Sequence, residues 1–350
     1  MVTLLQQPGF DPVRSGGTAS AHPLVDTFGR RVSYLRISVT DRCDFRCVYC
    51  MSEHMRFVPK RELLTYAEIE AIASAFIQRG TTRIRLTGGE PLVRRDILQL
   101  VEALGAKIGS GLDELTMTTN GSQLARHADA LFRAGMRRIN VSVDSLDADR
   151  FSVITRGGRL AEVLHGIGVA QAAGLRIKLN MVPMRGVNDD EIEPMIRFAH
   201  AEGMDLTLIE GMPLGEVALD RADAHLPLSE VREALAGRFT LLPVESRTGG
   251  PARYVRVGDT GGLLGFITPL SHNFCESCNR VRLTATGELY LCLGQEERLS
   301  LRDVLRTEGP EALDAALDRA MLIKPKGHDF VLNRAEAKQA VPRHMSVTGG

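Results

Sequence analysis

Between residues 32 and 210 the chain alternates two patterns. Short runs in which apolar and polar residues take turns predict strands at Val32–Thr40, Thr82–Thr87, Glu114–Thr119, Arg138–Asp144, Leu175–Met181 and Asp205–Glu210. Runs of helical period lie between them. In the first, Ile69, Ile72, Ala73, Phe76 and Ile77 fall at i, i+3, i+4, i+7 and i+8, one core-facing stripe. Further helices are predicted near 95–104, 122–134, 159–173 and 189–202. After the first strand, strand starts recur about every 30 residues, the length of one βα unit. Such a series predicts a parallel sheet, open or rolled into a barrel. Residues 1–30 contain Gly, Pro and Ser without a period and read as a loose arm. Past about residue 240 the period changes. Short β-like stretches at Leu241–Val244, Tyr254–Val257, Leu264–Ile267, Val281–Thr284 and Glu288–Leu291 precede one helical segment near 301–322 and a polar tail. The predicted division is an arm over 1–30, an α/β unit over 31–240 and a C-terminal region over 241–350.

The strand pattern carries a further message. Parallel strands are normally apolar on both faces. Here Leu35, Ile37 and Val39 alternate with Arg36, Ser38 and Thr40, and Ile84 and Leu86 with Arg83, Arg85 and Thr87. The third strand sets Leu115 and Met117 against Thr116, Thr118 and Asn120; the fourth sets Ile139, Val141 and Val143 against Asn140, Ser142 and Asp144. In the fifth, Ile177, Leu179 and Met181 oppose Arg176, Lys178 and Asn180. The apolar face belongs under the helices. The polar face must line a wet or ligand-filled interior, because buried unpaired charge is too costly. An antiparallel sheet with one face in water would alternate in the same way, but the intervening helices argue against it. Arg36, Arg85 and Lys178 then point inward, which favours an anionic ligand, phosphate being the natural candidate.

Composition narrows the class. The chain has 350 residues and a mass of 38.3 kDa, enough for one large domain or two modest ones. Apolar residues make up 44% and charged residues 25%, which excludes disorder for the bulk of the chain. Basic and acidic residues balance at 43 each, which argues against a general nucleic-acid-binding face. No apolar run reaches the roughly 18 residues of a membrane span. The N-terminus lacks the basic and then apolar regions of a secretory signal, so a cytoplasmic location is expected.

The cysteines point to chemistry. All six fall into two sets of three: Cys43, Cys47 and Cys50, then Cys275, Cys278 and Cys292. Three disulfides are arithmetically allowed, but such close spacing in a cytosolic chain reads as metal or cluster ligation. A structural zinc wants four ligands; His54 could complete the first set and His272 the second. An iron–sulfur cubane held by three cysteines keeps one iron open to an outside ligand.

The arrangement Cys43-x3-Cys47-x2-Cys50, with Tyr49 before its last cysteine, resembles the signature of the radical S-adenosylmethionine (SAM) enzymes. The turn Thr87-Gly88-Gly89-Glu90-Pro91 follows the second strand at the same end of the sheet. Cys275-Glu-Ser-Cys278-Asn-Arg280-Val-Arg282 with the late Cys292 is similar to one branch of that family, the GTP 3′,8-cyclases of molybdenum cofactor biosynthesis. Leu-Arg36-Ile-Ser-Val-Thr-Asp-Arg-Cys43, Thr118-Thr119-Asn120-Gly121, Asn140-Val-Ser142-Val-Asp144-Ser, Lys178-Leu-Asn180 and the terminal Gly349-Gly350 extend the resemblance over roughly residues 25–350. Thr348 before the last glycines and the N-terminal arm depart from it.

The resemblance implies a (β/α)6 partial barrel of TIM type whose mouth is closed by a C-terminal β-containing extension. It implies two 4Fe-4S clusters, one on Cys43, Cys47 and Cys50 and one on Cys275, Cys278 and Cys292, with SAM as cosubstrate. SAM contacts are expected at Tyr49, Gly89, Ser142 and Met212, and GTP contacts at Arg36, Arg85, Thr118, Lys178, Arg280, Val281 and Arg282. Arg280, Arg282, Gly349 and Gly350 are expected to serve catalysis. The implied reaction converts GTP to (8S)-3′,8-cyclo-7,8-dihydroguanosine 5′-triphosphate through a 5′-deoxyadenosyl radical. Its implied partners are a one-electron donor of flavodoxin or ferredoxin type and, through the product, cyclic pyranopterin monophosphate synthase. A homodimer is compatible with this. Two other classes stay open: a two-cluster radical SAM enzyme acting on a peptide or RNA, and a non-enzymatic metal-binding interaction protein.

Overall fold

A computed structural model describes residues 22–217, 219–245, 249–330 and 341–349. Residues 1–21 of the expected arm and Gly350 of the expected tail site lie outside the described residues. The six expected inner strands are present as β1 (Tyr34–Ser38), β2 (Arg83–Thr87), β3 (Glu114–Thr119), β4 (Arg138–Ser142), β5 (Arg176–Met181) and β6 (Asp205–Ile209). Six more follow: β7 (Leu241–Pro243), β8 (Arg253–Val257), β9 (Leu263–Ile267), β10 (Arg280–Leu283), β11 (Glu288–Tyr290) and β12 (Arg298–Ser300).

The helices between β1 and β7 are α1 (Tyr66–Gln78), α2 (Ile97–Gly105), α3 (Leu124–Arg133), α4 (Ala148–Thr155), α5 (Leu160–Ala172), α6 (Ile192–Ala201), α7 (Arg221–Ala224) and α8 (Leu228–Ala236). After β12 come α9 (Leu301–Thr307), α10 (Leu313–Leu322) and α11 (Met345–Thr348). The single helix expected near 301–322 is therefore two. Gly309, at φ 93°, and Pro310 end the first and start the next. α1 shows how local chemistry fixes a boundary. Thr65 and Glu68 form a reciprocal capping box, and Ile69, Ile72, Ala73 and Phe76 are buried as the stripe requires.

All twelve strands join one open sheet in the order β12-β11-β10-β1-β2-β3-β4-β5-β6-β9-β8-β7. β1 to β6 run parallel in sequence order, as a partial barrel requires. The C-terminal strands do more than cap this sheet. β10 adds to β1 and β9 to β6, both parallel, so the late part of the chain widens the barrel wall at both edges. The apolar strand residues, such as Leu35, Ile37, Ile84 and Leu86, are fully buried against the helices in one continuous core. Residues 22–31 are not a loose arm. Leu24 is fully buried, and Arg30 pairs with Asp26 at 2.6 Å and donates to the carbonyls of Cys275, Pro325 and Lys326.

Candidate functional site

The loop after β1 carries the first cysteine set. Arg46 and Val48 donate backbone hydrogen bonds to Thr155 and Ile154 at the end of α4, and Phe45 meets Phe151 edge to face with centroids 6.0 Å apart. Asp44 is held by Asn120 and Ser122, each at 2.6 Å. The thiols of Cys43, Cys47 and Cys50 line one cavity, together with Tyr49, Gly88, Gly89, Ser142, Asp144 and Met212.

The two glycines after β2 meet the cysteine loop itself. Gly89 N–H donates to the Thr40 carbonyl at 2.7 Å, and Glu90 N–H to the Arg42 carbonyl at 2.8 Å. A Cβ on Gly88 would run into the Thr40 carbonyl, and one on Gly89 into the backbone of Asp41 and Arg42. Gly88 also stands at φ +147°, a conformation side chains rarely adopt. We therefore expect Gly89→Ala to push the cysteine loop off its seat, at a cost of about 1–3 kcal/mol. Calorimetry should show the lower melting temperature, and iron analysis a selective loss at the first cysteine set.

Buried carboxylates surround this cavity. Glu90, fully buried, accepts from Leu92 N–H, Thr119 Oγ1 and Asn120 N–H, and burial pushes its carboxyl up to about 7. Asp144 accepts from the Tyr49 hydroxyl at 2.8 Å and from Val182 N–H, and burial pushes it up to about 6. Burial and then Glu90 push the Cys43 thiol up; burial and then Asp144 push Cys47 up and Cys50 up to about 12. Thiols so placed lose their protons only to a cationic centre.

The second set lies across the interior. Cys275, Cys278 and Cys292 line a second cavity with Arg36, Arg85, Thr118, Lys178, Arg280, Val281 and Arg282. Thr118, Asn180, Ile209, Met212 and Met345 border both cavities, so the two spaces adjoin. Strand register explains the cations. Arg282 of β10, Arg36 of β1 and Arg85 of β2 are directly adjacent in one cross-strand row. Like charges side by side in a sheet destabilise it. Burial, then Arg282 and Arg85, push the Arg36 guanidinium well below its usual range, and burial followed by Arg280 pushes Arg282 down to about 10. Burial and Arg85 bring Lys178 down to about 7.

The hydrogen bonds these cations make go to neutral acceptors. Arg85 donates to Thr118 Oγ1, Lys178 to the Tyr254 hydroxyl at 2.7 Å, and Arg280 to Asn279. The buried Nε atoms of Arg36, Arg85 and Arg280 have no partner among the described residues. The buried carboxylates that could have neutralised them are engaged elsewhere: Asp144 as above, and Glu210 by Leu228, Leu270 and Ser271.

The C-terminal segment reaches both cavities. Gly215 N–H donates to the Val341 carbonyl at 2.9 Å, and Arg343 donates to the carbonyls of Cys292 and Leu293. Arg282 Nη1 donates to the Gly349 carbonyl at 2.5 Å. Gly349 is buried at φ +76°, and a Cβ there would enter the Thr87 side chain, so only glycine fits.

These donor sets suit iron–sulfur clusters better than zinc. All six cysteines are free thiols. Among the described residues, no three His, Cys, Asp or Glu side chains stand close enough to share one metal ion, as a zinc site demands. A cubane instead spreads its thiolates over different irons. His54 and His272, the candidate fourth zinc ligands, are exposed and line neither cavity. The sequence did not mark Tyr254, Lys324 or Met345 as site neighbours. Asp144, expected on the inward polar face, lines the first cavity two residues past β4. Among the described residues, no helix is long and apolar enough to cross a membrane.

Known proteins were then compared with the chain. Residues 37–199 match the family model of the radical SAM superfamily, and residues 204–330 match that of Molybdenum Cofactor Synthesis C. The GTP 3′,8-cyclase of Rhizobium etli strain CFN 42 is 62% identical over 334 residues, 95% of this chain and 96% of that protein. That of Agrobacterium fabrum is 58% identical over 335 residues, again 95% and 96%. Among solved structures, Streptococcus suis SuiB bound to S-adenosylmethionine superposes with a TM-score of 0.56 at 17% identity, covering 83% of this chain and 67% of that one.

Proposed function

This chain belongs to the GTP 3′,8-cyclase family of radical SAM enzymes, and from that premise we propose how its own residues perform the family's reaction. The enzyme converts GTP to (8S)-3′,8-cyclo-7,8-dihydroguanosine 5′-triphosphate, in molybdenum cofactor biosynthesis, with SAM and 4Fe-4S clusters as cofactors. The observation that carries the site assignment is the buried row Arg282–Arg36–Arg85, whose hydrogen-bond partners among the described residues are all neutral. A nucleoside triphosphate supplies the missing negative charge.

Cys43, Cys47 and Cys50 would hold one cluster, in the cavity that Gly89, Ser142 and Met212 also line. Cys275, Cys278 and Cys292 would hold the other, in the cavity that the GTP-binding cations line. Together these groups supply the electron that cleaves SAM and the 5′-deoxyadenosyl radical that takes hydrogen from C3′ of GTP. The protein's part is placement. Arg36, Arg85 and Lys178 take the phosphates, and Thr118 orients Arg85. Arg280, Val281 and Arg282 form the wall nearest the second set. Met212 and Met345, at the junction of the cavities, keep water away from the reacting carbons.

Charge-assisted contacts are worth about 1.5–3 kcal/mol each. Alanine at Arg36, Arg85 or Lys178 should therefore weaken GTP binding by roughly ten- to a hundredfold in equilibrium dialysis. Unchanged affinity in all three would remove the phosphate site from this row. The tail has its own expectation. Gly349 touches Arg282 through its carbonyl and adds nothing to the core, so deleting residues 349–350 should leave both clusters and uncoupled SAM cleavage intact while abolishing cyclised product. Product per 5′-deoxyadenosine, measured for full-length and shortened chains, reports it.

Function itself is tested by anaerobic turnover with SAM, reductant and GTP, and mass detection of a cyclised GTP isomer. The proposed setting is cytoplasmic. A flavodoxin- or ferredoxin-like donor supplies the electron, and cyclic pyranopterin monophosphate synthase takes the product. Association as a homodimer also belongs to this proposal.

A further inference from the structure

The two cysteine sets sit in opposite electrostatic surroundings. Around the first, the charges acting on the thiols are mostly carboxylates: Glu90 and Asp44 on Cys43, and Asp144 on Cys47 and Cys50, with Arg221 acting on Cys50 and Arg46 donating to the backbone carbonyl of Cys43 rather than to its sulfur. Around Cys278 the nearest charges are cations: Lys324, Arg280 and Arg30.

Lys324 is the most committed of them. It follows α10 and is only 2% exposed. Its Nζ donates to the Leu291 carbonyl at 2.7 Å and lies 3.8 Å from Cys278 Sγ. Leu291 precedes Cys292, so one ammonium touches the sulfur of one cysteine and the peptide before another. Both of these partners are formally neutral until Cys278 becomes a thiolate. A lysine buried this deeply is costly without a counter-charge, and a ligating thiolate provides it.

We propose that Lys324 is a positioning residue that sets the reduction potential of the cluster on Cys275, Cys278 and Cys292, holding it above that of the cluster on Cys43, Cys47 and Cys50. The proposal rests on the two-cluster reading given above. A cluster's potential follows its net charge, its solvent exposure and the hydrogen bonds to its sulfurs. Reduction adds one negative charge. A fixed cation a few ångströms away in a dry interior stabilises that charge, and a fixed carboxylate opposes it. The contrast between Lys324 on one side and Glu90 and Asp144 on the other thus separates the two potentials in a definite sense.

The test uses the full chain with Cys43→Ala, Cys47→Ala and Cys50→Ala, reconstituted anaerobically so that only the second set holds iron. Iron analysis comes first: about four irons per chain are expected, and none would refute the ligand assignment and the proposal with it. The midpoint is then read by redox titration followed by electron paramagnetic resonance, with Lys324 intact and as Lys324→Arg, Lys324→Gln and Lys324→Met. Gln keeps a donor for Leu291 and removes the charge. Both neutral variants should shift the midpoint negative by at least tenfold in the ratio of reduced to oxidised cluster, about 59 mV for a one-electron couple, and Arg should restore it. In the converse background, with alanine at Cys275, Cys278 and Cys292, the first cluster's midpoint should lie below that of the second and stay put in Lys324→Gln. An unmoved midpoint in the neutral variants, or the reverse order of the two midpoints, would overturn the proposal. Loss of the second cluster from both neutral variants would overturn it too, making Lys324 a support of the fold.

Discussion

Protein carrying Cys43→Ala, Cys47→Ala or Cys50→Ala, reconstituted anaerobically, is expected to release no 5′-deoxyadenosine from SAM above the level without enzyme. Each substitution removes one of three thiolates from a site whose only other function is to leave an iron open. A neighbouring group cannot stand in. His54 is exposed and outside the cavity, and Asp44 is already held by Asn120 and Ser122. The loop itself should survive, because its anchors are the backbone hydrogen bonds to Thr155 and Ile154 and the Phe45–Phe151 contact, none of which uses sulfur. Circular dichroism should therefore be unchanged while chromatography shows no 5′-deoxyadenosine. Normal SAM cleavage in any one variant would remove the radical assignment.

Alanine at Cys275 or Cys278 should produce the complementary loss. Iron should fall from about eight to about four per chain, SAM should still be cleaved in an uncoupled reaction, and no cyclised GTP should form. The separation follows from the architecture. Cys275 and Cys278 lie on the turn before β10, which pairs with β1, and Cys292 follows β11, whereas the first set hangs on the loop after β1 and on α4. Arg30 ties the Cys275 carbonyl to residues 325–326 without using the thiol, so the turn keeps its place when the sulfur is removed. Unfolding of these variants by circular dichroism would instead give the second set a purely structural role.

Much of this was legible in the chain because β1 to β5 alternate so cleanly. Arg36, Arg85 and Lys178 were assigned inward by period alone, and they line the second cavity. β10 carried the same signal, Arg280 and Arg282 against Val281 and Leu283, yet its place beside β1 is a long-range pairing that no local pattern dictates. Gly309-Pro310 was a readable break inside the last helical segment. α4 was harder. It is 8 residues long, ends in Val153, Ile154 and Thr155, and owes its existence to the Asp147 cap and the burial of Phe151. Tyr254 and Lys324 had no local signal at all, since their partners Lys178 and Cys278 stand 76 and 46 residues away. Of the two glycines after β2, Gly89 was expected as a SAM contact. Both line the first cavity, and the backbone of residues 40–42 lies where a Cβ on either would go, so the same two residues also fasten the cysteine loop to the sheet.

The central claim is that a radical made from SAM takes the C3′ hydrogen of a GTP held on the arginine row between the two cysteine sets. It is tested most directly by turnover with GTP deuterated at C3′ and mass analysis of the 5′-deoxyadenosine released. Deuterium is expected to appear in 5′-deoxyadenosine in step with formation of the cyclised nucleotide. Cyclised product formed alongside unlabelled 5′-deoxyadenosine would contradict it.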